Sequence, residues 1–411
     1  MSLPPARPLT VWIVNPYGWL PGEGWRDYRS VPLANALVDR GHAVRWWVSD
    51  IEHRSRTRRP RAATDLRLPS GAAVEMIETR AYDRNISVGR VRYERSFAAG
   101  FARRSGTMPP PDVIVIGEPA LFFAGPVVDY AQRHGIPLIV DGIDLWPEMF
   151  HLVLPGKLRG LGSVFFAPLY RRRDRLVAGA AAVVAVTADY LERLTRRAAP
   201  AISDVIYLGV DRSMFRSPRF DRRGDTPLEA IYAGNLGDAY DMPVLLAAIE
   251  RVAIGGHPIR FTLVGAGPWE TEISALAAKF PEHVRFLGRM APEALPALYA
   301  EAEVGLATYS AGSTVSMPTK LFDYLASGLA VVGSMGGEAA ALLEDGAGRS
   351  YRAGSVDDLV SVLEAYAGDR PSLEQARRYA YAQATRFDLD AQYERYAHII
   401  EMVADRQGLR C

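Results

Sequence analysis

The sequence predicts an α/β protein made of two doubly wound, Rossmann-like domains, and three observations carry that expectation. Apolar strand-type runs alternate with helix-type segments along the chain, and several of the runs end in Gly-rich loops. A polar stretch at residues 216–225 interrupts the alternation near the middle, after which it restarts at Glu229. The 411 residues, 49% of them hydrophobic, suffice for two cores of ordinary size.

In chain order, residues 9–14 form a buried-type strand that runs into the Gly- and Pro-rich loop 15–24, which ends in Gly22-Glu23-Gly24. A helix follows with Leu33, Leu37 and Val38 on its apolar face, and Arg40-Gly41-His42-Ala43-Val44 turns into the strand Trp46-Trp47-Val48. Strand, loop and helix in this order open a doubly wound sheet, with the loop at the strand end where ligands bind. The loop lacks a clean G-x-G-x-x-G, and His42, in the turn behind the helix, reads as structural. Strands at 111–117 and 137–141 extend the sheet, the second running into Gly142-Ile143-Asp144-Leu145-Trp146-Pro147-Glu148, and runs at 182–186 and 204–207 complete it.

The second half repeats the plan. A strand at 229–233 meets the loop Gly234-Asn235-Leu236-Gly237 and a helix through Val244, Leu245, Ala248 and Ile249; a strand at 260–264 meets Gly265-Ala266-Gly267-Pro268; and a strand at 284–287 ends in Gly288-Arg289-Met290. Glycine at a strand end lets backbone approach a ligand closely, although each loop alone also suits a tight turn.

The segment from Ser316 to Gly328 reads as a helix whose first turn is suited to phosphate. Pro318 fits the first helical position, and the amides of Thr319 and Lys320 then lack carbonyl partners within the helix, at the positive end of its dipole. Leu321, Tyr324 and Leu325 follow helical spacing, and Ser327-Gly328 ends the helix before the strand run 329–332. Asp323, one turn in, is placed to accept hydrogen bonds from ribose hydroxyls. Every helix start has such amides, and most meet only water or a side chain.

Charge and composition narrow the partners. Net charge is +1, but residues 1–210 carry +8 (28 basic, 20 acidic) and the remainder −7 (20 basic, 27 acidic), which suits either an anionic partner for the first half or complementary domain surfaces. Five arginines crowd residues 54–61, and Arg90, Arg92, Arg95, Arg103 and Arg104 recur in a helix-like stretch; they read as a solvated face or as contacts to an acceptor phosphate or membrane. Residues 157–175 set Phe165, Phe166 and Leu169 among Lys157, Arg159, Arg171, Arg172, Arg173 and Arg175, a pattern shared by anionic-membrane docking and by a buried helix with a basic rim. No apolar run is long enough for a membrane span, no signal-peptide core is present, and the single Cys411 excludes an internal disulfide or cysteine metal cluster, so a cytoplasmic protein is expected, at the inner face of the plasma membrane if the docking reading holds. Nucleic acid is not an expected partner, because the arginines lack interleaved aromatics and no known fingerprint occurs.

These segments together resemble the GT-B glycosyltransferases of family 4, the glycosyl transferases group 1. The resemblance covers nearly the whole chain and is strongest from Gly209 to about Gly354. It implies two Rossmann-like domains facing a central cleft: an acceptor-side domain at 1–207 with a helix from 387 to 411 packing back on it, a hinge at 208–225, and a nucleotide-sugar donor domain at 226–386. Leu208-Gly209-Val210-Asp211 is similar to the family's Asn-Gly-Val-Asp linker, with Leu208 in place of Asn. The donor helix of the family carries two Glu separated by seven residues; Asp323 matches the second and Val315 falls on the first. A His commonly precedes the family's Asp-Leu-Trp-Pro sequence, and here Ile143 stands there.

Carried over by position, Gly24 lies near the donor phosphates, Gly234, Asn235, Gly237, Gly265 and Gly267 approach them, Gly288, Arg289 and Met290 border the base, and Ser316, Pro318, Thr319, Lys320 and Leu321 cradle the pyrophosphate above the ribose-binding Asp323. Asp144 and Glu148 are the polar candidates beside the acceptor, with ordinary capping roles as their alternative. Asp238 and Asp241 stand where many members place Arg and Lys, leaving Lys320 to neutralise the leaving diphosphate.

The implied activity is retaining, metal- and cofactor-independent transfer of a sugar from a nucleotide diphosphate to a hydroxyl of a surface polysaccharide or lipid-linked acceptor. A nucleotide-sugar epimerase on the same frame and a non-catalytic sugar-nucleotide-binding partner protein are the alternatives, the latter favoured by Val315 and Ile143.

Overall fold

The computed structural model describes the chain outside residues 1–6, 25, 27, 61–65, 199, 221–225, 238, 239, 314 and 409–411. Arg61, Asp238, Cys411 and part of the 208–225 stretch thus lie outside the described residues. The chain forms two compact units, one of residues 1–208 with 390–411 and the other of 209–389.

The first unit holds a seven-stranded parallel sheet of β1 (Thr10–Val14), β2 (Ala43–Ser49), β3 (Ala73–Ile77), β4 (Val113–Glu118), β5 (Leu138–Gly142), β6 (Ala182–Ala185) and β7 (Ser203–Val205), in the order β3-β2-β1-β4-β5-β6-β7. The β1, β4, β5 and β6 runs are nearly all apolar because both faces of a parallel sheet are covered by helices. Trp12 packs against Trp47 at 4.9 Å and stacks on Tyr130 at 5.3 Å, while Phe101 of helix Val88–Ser105 closes on Trp47 at 4.8 Å.

Part of the first unit's positive charge is spent inside it. The Arg29 guanidinium is buried against the Asp141 carboxylate at 2.6 Å, donates to Ile206 O, and lies under the rings of Tyr393 and Tyr396. Arg59 is buried between Glu23, Ser49 O and Gly18 O, Arg90 is buried against Glu94 at 3.2 Å, and Arg104 pairs with Glu75. Arg29, Arg59 and Arg90 form buried structural ion pairs, which corrects both readings for Arg59 and Arg90, whereas Arg104, like Arg54, Arg92, Arg95 and Arg103, is exposed. Burying a charge costs several kcal/mol unless it is paired and hydrogen-bonded, which these geometries provide. His42 is structural: its Nδ1 accepts the Leu9 N–H and its Nε2 lies 3.0 Å from Glu401 of helix Leu389–Gly408, which Arg40 also holds.

The second unit holds a six-stranded parallel sheet of β8 (Leu228–Ala233), β9 (Ile259–Val264), β10 (Val284–Phe286), β11 (Val304–Ala307), β12 (Ala330–Gly333) and β13 (Gly348–Ser350), in the order β10-β9-β8-β11-β12-β13. Its core packs Leu245, Ile249 and Val252 of helix Met242–Ile254 and Leu359 and Leu363 of helix Val356–Gly368 on the sheet. At its boundary, Val210 N–H donates to Phe387 O and Leu389 N–H to Val210 O, and Gly209 takes φ +73° where a Cβ would stand 3.1 Å from Phe387 O. Strand order reverses between β1 and β4 in one unit and between β8 and β11 in the other, the switch points where open α/β sheets bind ligands.

Candidate functional site

At the β8/β11 switch point the loops after β8, β9 and β10 are tied together by backbone. Gly234 N–H donates to Val264 O, Leu236 N–H to Ala266 O, and Gly265 N–H to Gly288 O. A Cβ on Gly265 would stand 1.9 Å from Gly234 O, and one on Gly267 would stand 2.5 Å from Leu236 O. These two glycines make room for the neighbouring loop, a reason for glycine that the sequence did not show. Gly234, at φ +154°, and Asn235 are exposed at the strand end; Asn235 O accepts the Tyr232 hydroxyl, and its Oδ1 would lie 2.8 Å from a Cβ on Gly237. Gly288 takes φ +64° with open space where a Cβ would point, Arg289 is exposed and Met290 half-buried.

The donor helix runs Thr319–Ala326. Pro318 is its N-cap in extended geometry (φ −71°, ψ 143°) instead of its first helical residue, and Leu321 N–H bonds back to Pro318 O. Thr319 and Lys320 thus keep the first amides, which have no helical carbonyl to reach. Ser316 is buried and anchors the approach, its carbonyl accepting Ala339 N–H and its hydroxyl Glu338 N–H. Asp323 is buried one turn in, and its carbonyl holds the Ser327 hydroxyl and amide. Val315 is half-buried and offers no polar group.

Lys320 is the unusual residue of the set. Its side chain is 8% exposed, and its Nζ has no hydrogen-bond partner among the described residues. The Nζ lies 3.9 Å from the ring centroid of Tyr232, 4.6 Å from Tyr240 and 5.6 Å from Tyr309, and 2.9 Å from where a Cβ on Gly234 would stand. Burial alone lowers its pKa to about 7. Sequence reasoning missed the three tyrosines, because they come from β8, from the segment before helix Met242–Ile254 and from the segment after β11. Asp241, read as a departure from a basic position, accepts Gly354 N–H.

The acceptor-side candidates and Gly24 lie in the other unit. Gly24 takes φ +74° with open space around a Cβ. Asp144 reaches solvent just past β5; crowding by the surrounding chain pushes its carboxyl up to about 6 against the pull of Arg90, and water at the exposed oxygens limits that rise. Glu148 opens the 3-10 helix Glu148–Val153 and accepts from Arg173 at 2.9 Å, an ion pair that gives it a structural task. Two further residues belong to this unit, Arg90 of the arginine stretch and Glu118, which the sequence did not single out. Arg90 lies 4.2 Å over the Tyr17 ring, and Glu118, at the end of β4, is 1% exposed with an unpartnered Oε1 among the described residues and a carboxyl that desolvation raises to about 7.

Comparison with known proteins places the chain. The sequence model of the glycosyl transferase 4-like domain matches residues 28–209, and that of the glycosyl transferases group 1 matches residues 228–369. WcaL of Escherichia coli (strain K12), named as a colanic acid biosynthesis glycosyltransferase, is 28% identical over 133 residues, a match spanning 31% of this chain and 32% of that relative. Among solved structures, sucrose-phosphate synthase of Thermosynechococcus elongatus superposes with a TM-score of 0.73 at 14% identity, covering 97% of this chain and 99% of that one. HepE of Anabaena, in complex with UDP and glucose, gives 0.65 at 16% identity over 96% and 100% of the two chains. An α,α-trehalose-phosphate synthase (UDP-forming) of Burkholderia vietnamiensis gives 0.66 at 14% identity over 96% and 99%. At these identities the structural likenesses establish the fold, two parallel sheets with helices in the GT-B class. The two family models together span most of the chain, and the protein belongs to the glycosyl transferases group 1 family.

Proposed function

We propose that the protein is a glycosyltransferase that moves a sugar from a nucleotide-diphosphate donor, bound at the second unit's switch point, to a hydroxyl of a polysaccharide or lipid-linked acceptor. The observation that carries the reading is Lys320: a buried amine, unpartnered among the described residues, at the N-terminus of an eight-residue helix and beside a glycine at a strand end. An unpaired buried donor costs about 1–3 kcal/mol, and an anion at the helix start relieves that cost. In the proposed reaction the acceptor oxygen bonds to the sugar's anomeric carbon as the bond to the diphosphate breaks, and the acceptor's proton passes to a diphosphate oxygen. The Thr319 and Lys320 amides and the Lys320 ammonium meet the charge that develops on that leaving group, so no metal is required in this scheme. Asp323 holds the ribose, and retention of configuration follows from the family resemblance. Two structural relatives are solved with UDP or form it, which makes UDP-sugars the first donors to try.

Contact with an anionic membrane belongs to the same proposal, through a surface that keeps Phe165, Lys157 and Arg159 of the stretch read in the sequence and extends toward Val153. Val153, Leu158, Leu161, Val164 and Phe165 are exposed together along residues 153–165, flanked by Lys157 and Arg159. Phe166 instead packs on Phe150 at 5.4 Å, and Arg173 is buried against Glu148, so neither is free to meet lipid. No helix among the described residues is long and apolar enough to cross a membrane.

Incubation with a panel of nucleotide sugars and candidate acceptors, followed by NMR of the products, tests the reading. A glycoside whose anomeric configuration matches the donor's supports it; an epimerised nucleotide sugar, or binding without turnover, overturns it.

A further inference from the structure

Lys320 has a surrounding that catalysis by a simple fixed cation does not call for. A phosphate-binding lysine in open solvent is charged whether or not phosphate is present. Here the amine is shut under three phenol rings, with no counter-ion and no hydrogen-bond acceptor among the described residues. We propose that Tyr232, Tyr240 and Tyr309 are positioning residues that store Lys320 as an uncharged amine, and that the donor's diphosphate is the anion that charges it, so that donor binding takes up a proton from solvent. The inference rests on the donor-site reading above.

The groups facing Nζ from each packed element support it. From β8 comes Tyr232, whose hydroxyl is committed to Asn235 O; from the segment after β11 comes Tyr309; burial pushes both phenols well above their ordinary value, so both stay neutral. Tyr240 presents its ring from the segment before helix Met242–Ile254, and its neighbour Asp241 is occupied by Gly354 N–H. On the lysine's own helix, the Tyr324 hydroxyl is engaged with Ala233 N–H and Leu306 O, and the Asp323 carboxylate stands one turn further on. Ring faces partly compensate an ammonium, but they supply neither a counter-ion nor a hydrogen-bond acceptor, and desolvation prevails. With the amine's pKa lowered to about 7, the uncharged form dominates above neutrality. A diphosphate within hydrogen-bond reach reverses the balance by favouring the charged form.

Calorimetric titration with UDP, with ADP and GDP alongside, in buffers of different ionisation enthalpy, counts the protons taken up. Relative to Lys320→Arg, which is charged throughout, wild type is expected to take up about 0.9 proton at pH 8 and about 0.1 at pH 6. Tyr240→Phe should keep that uptake because it keeps the ring, and Tyr240→Leu, which admits water, should lose most of it. Lys320→Met supplies a second non-titrating reference should the arginine not pack, and melting curves verify that each variant folds. UDP binding with the proton count of Lys320→Arg at pH 8, or Tyr240→Phe losing the uptake as Tyr240→Leu does, overturns the inference and leaves the donor site standing. Failure of every nucleoside diphosphate to bind overturns both.

Discussion

Replacing Lys320 by Met separates what the residue costs the fold from what it gives the site. In the folded protein burial lowers the lysine from 10.5 to about 7, which at about 1.36 kcal/mol per unit is roughly 5 kcal/mol of ionisation cost. Because the folded pKa lies below the unfolded one, the folded chain binds fewer protons than the unfolded chain between pH 7 and 10.5. Wild-type stability therefore climbs with pH across that window, and the full cost is felt below it. Methionine keeps the length and removes the charge, so the variant gains up to roughly 5 kcal/mol at pH 6 but only about 2 kcal/mol at pH 9. At about 2–4 °C per kcal/mol for a unit of this size, the rise in its melting temperature over wild type should be larger at pH 6 than at pH 9 by about 6–12 °C. Thermal melts of both proteins at the two pH values measure this, with UDP affinity measured on the same samples and expected to fall in the variant. A shift that is the same at both pH values, or destabilisation at pH 6, refutes the account of Lys320 as a buried amine held at a cost for function.

Asp323→Asn should weaken UDP and UDP-sugar binding alike by about one to two decades, the roughly 1.5–3 kcal/mol of a charge-assisted hydrogen bond, as calorimetry will show. Arg29→Met leaves the Asp141 carboxylate buried without its partner and should cost about 3–5 kcal/mol in chemical denaturation of the first unit, while Arg29→Met with Asp141→Leu together should recover much of it. Sedimentation with anionic vesicles at low salt should recover the protein, and Val164→Glu with Phe165→Glu should abolish recovery, whereas equal recovery on neutral vesicles would count against the membrane surface.

The parts of this protein that were legible in its sequence are those set by local pattern. The strand run 9–14 contains β1 (Thr10–Val14), because a strand covered on both faces must be apolar throughout. The helix after Pro318 was legible from its spacing, with an error of one residue at its start: proline's φ suits both the first turn and the extended cap, and local sequence does not choose between them. What resisted reading was partnership across the fold. Arg171-Arg172-Arg173 looks like a uniform basic run, yet Arg173 turns inward to Glu148 because helix Ala167–Ala178 buries that face with Leu176 and Val177. Arg59 likewise found Glu23, a carboxylate that only folding brings near, whereas Arg90 pairs with Glu94 one turn along its own helix. Glycine at 265 and 267 was recognisable as necessary, but its reason, the carbonyls of Gly234 and Leu236, belongs to the packing of two loops. The tyrosine cage left no local trace, since Tyr232 and Tyr309 are ordinary buried aromatics, Tyr240 is half-buried, and the three stand on separate segments.

A crystal structure with the nucleoside diphosphate that most raises the melting temperature tests the central claim most directly. The account predicts the diphosphate at the Thr319 and Lys320 amides, the Lys320 Nζ within hydrogen-bond distance of a phosphate oxygen, and the ribose hydroxyls on Asp323. A nucleotide seated away from helix Thr319–Ala326, or a diphosphate that leaves Lys320 shut beneath Tyr232, Tyr240 and Tyr309, would contradict it.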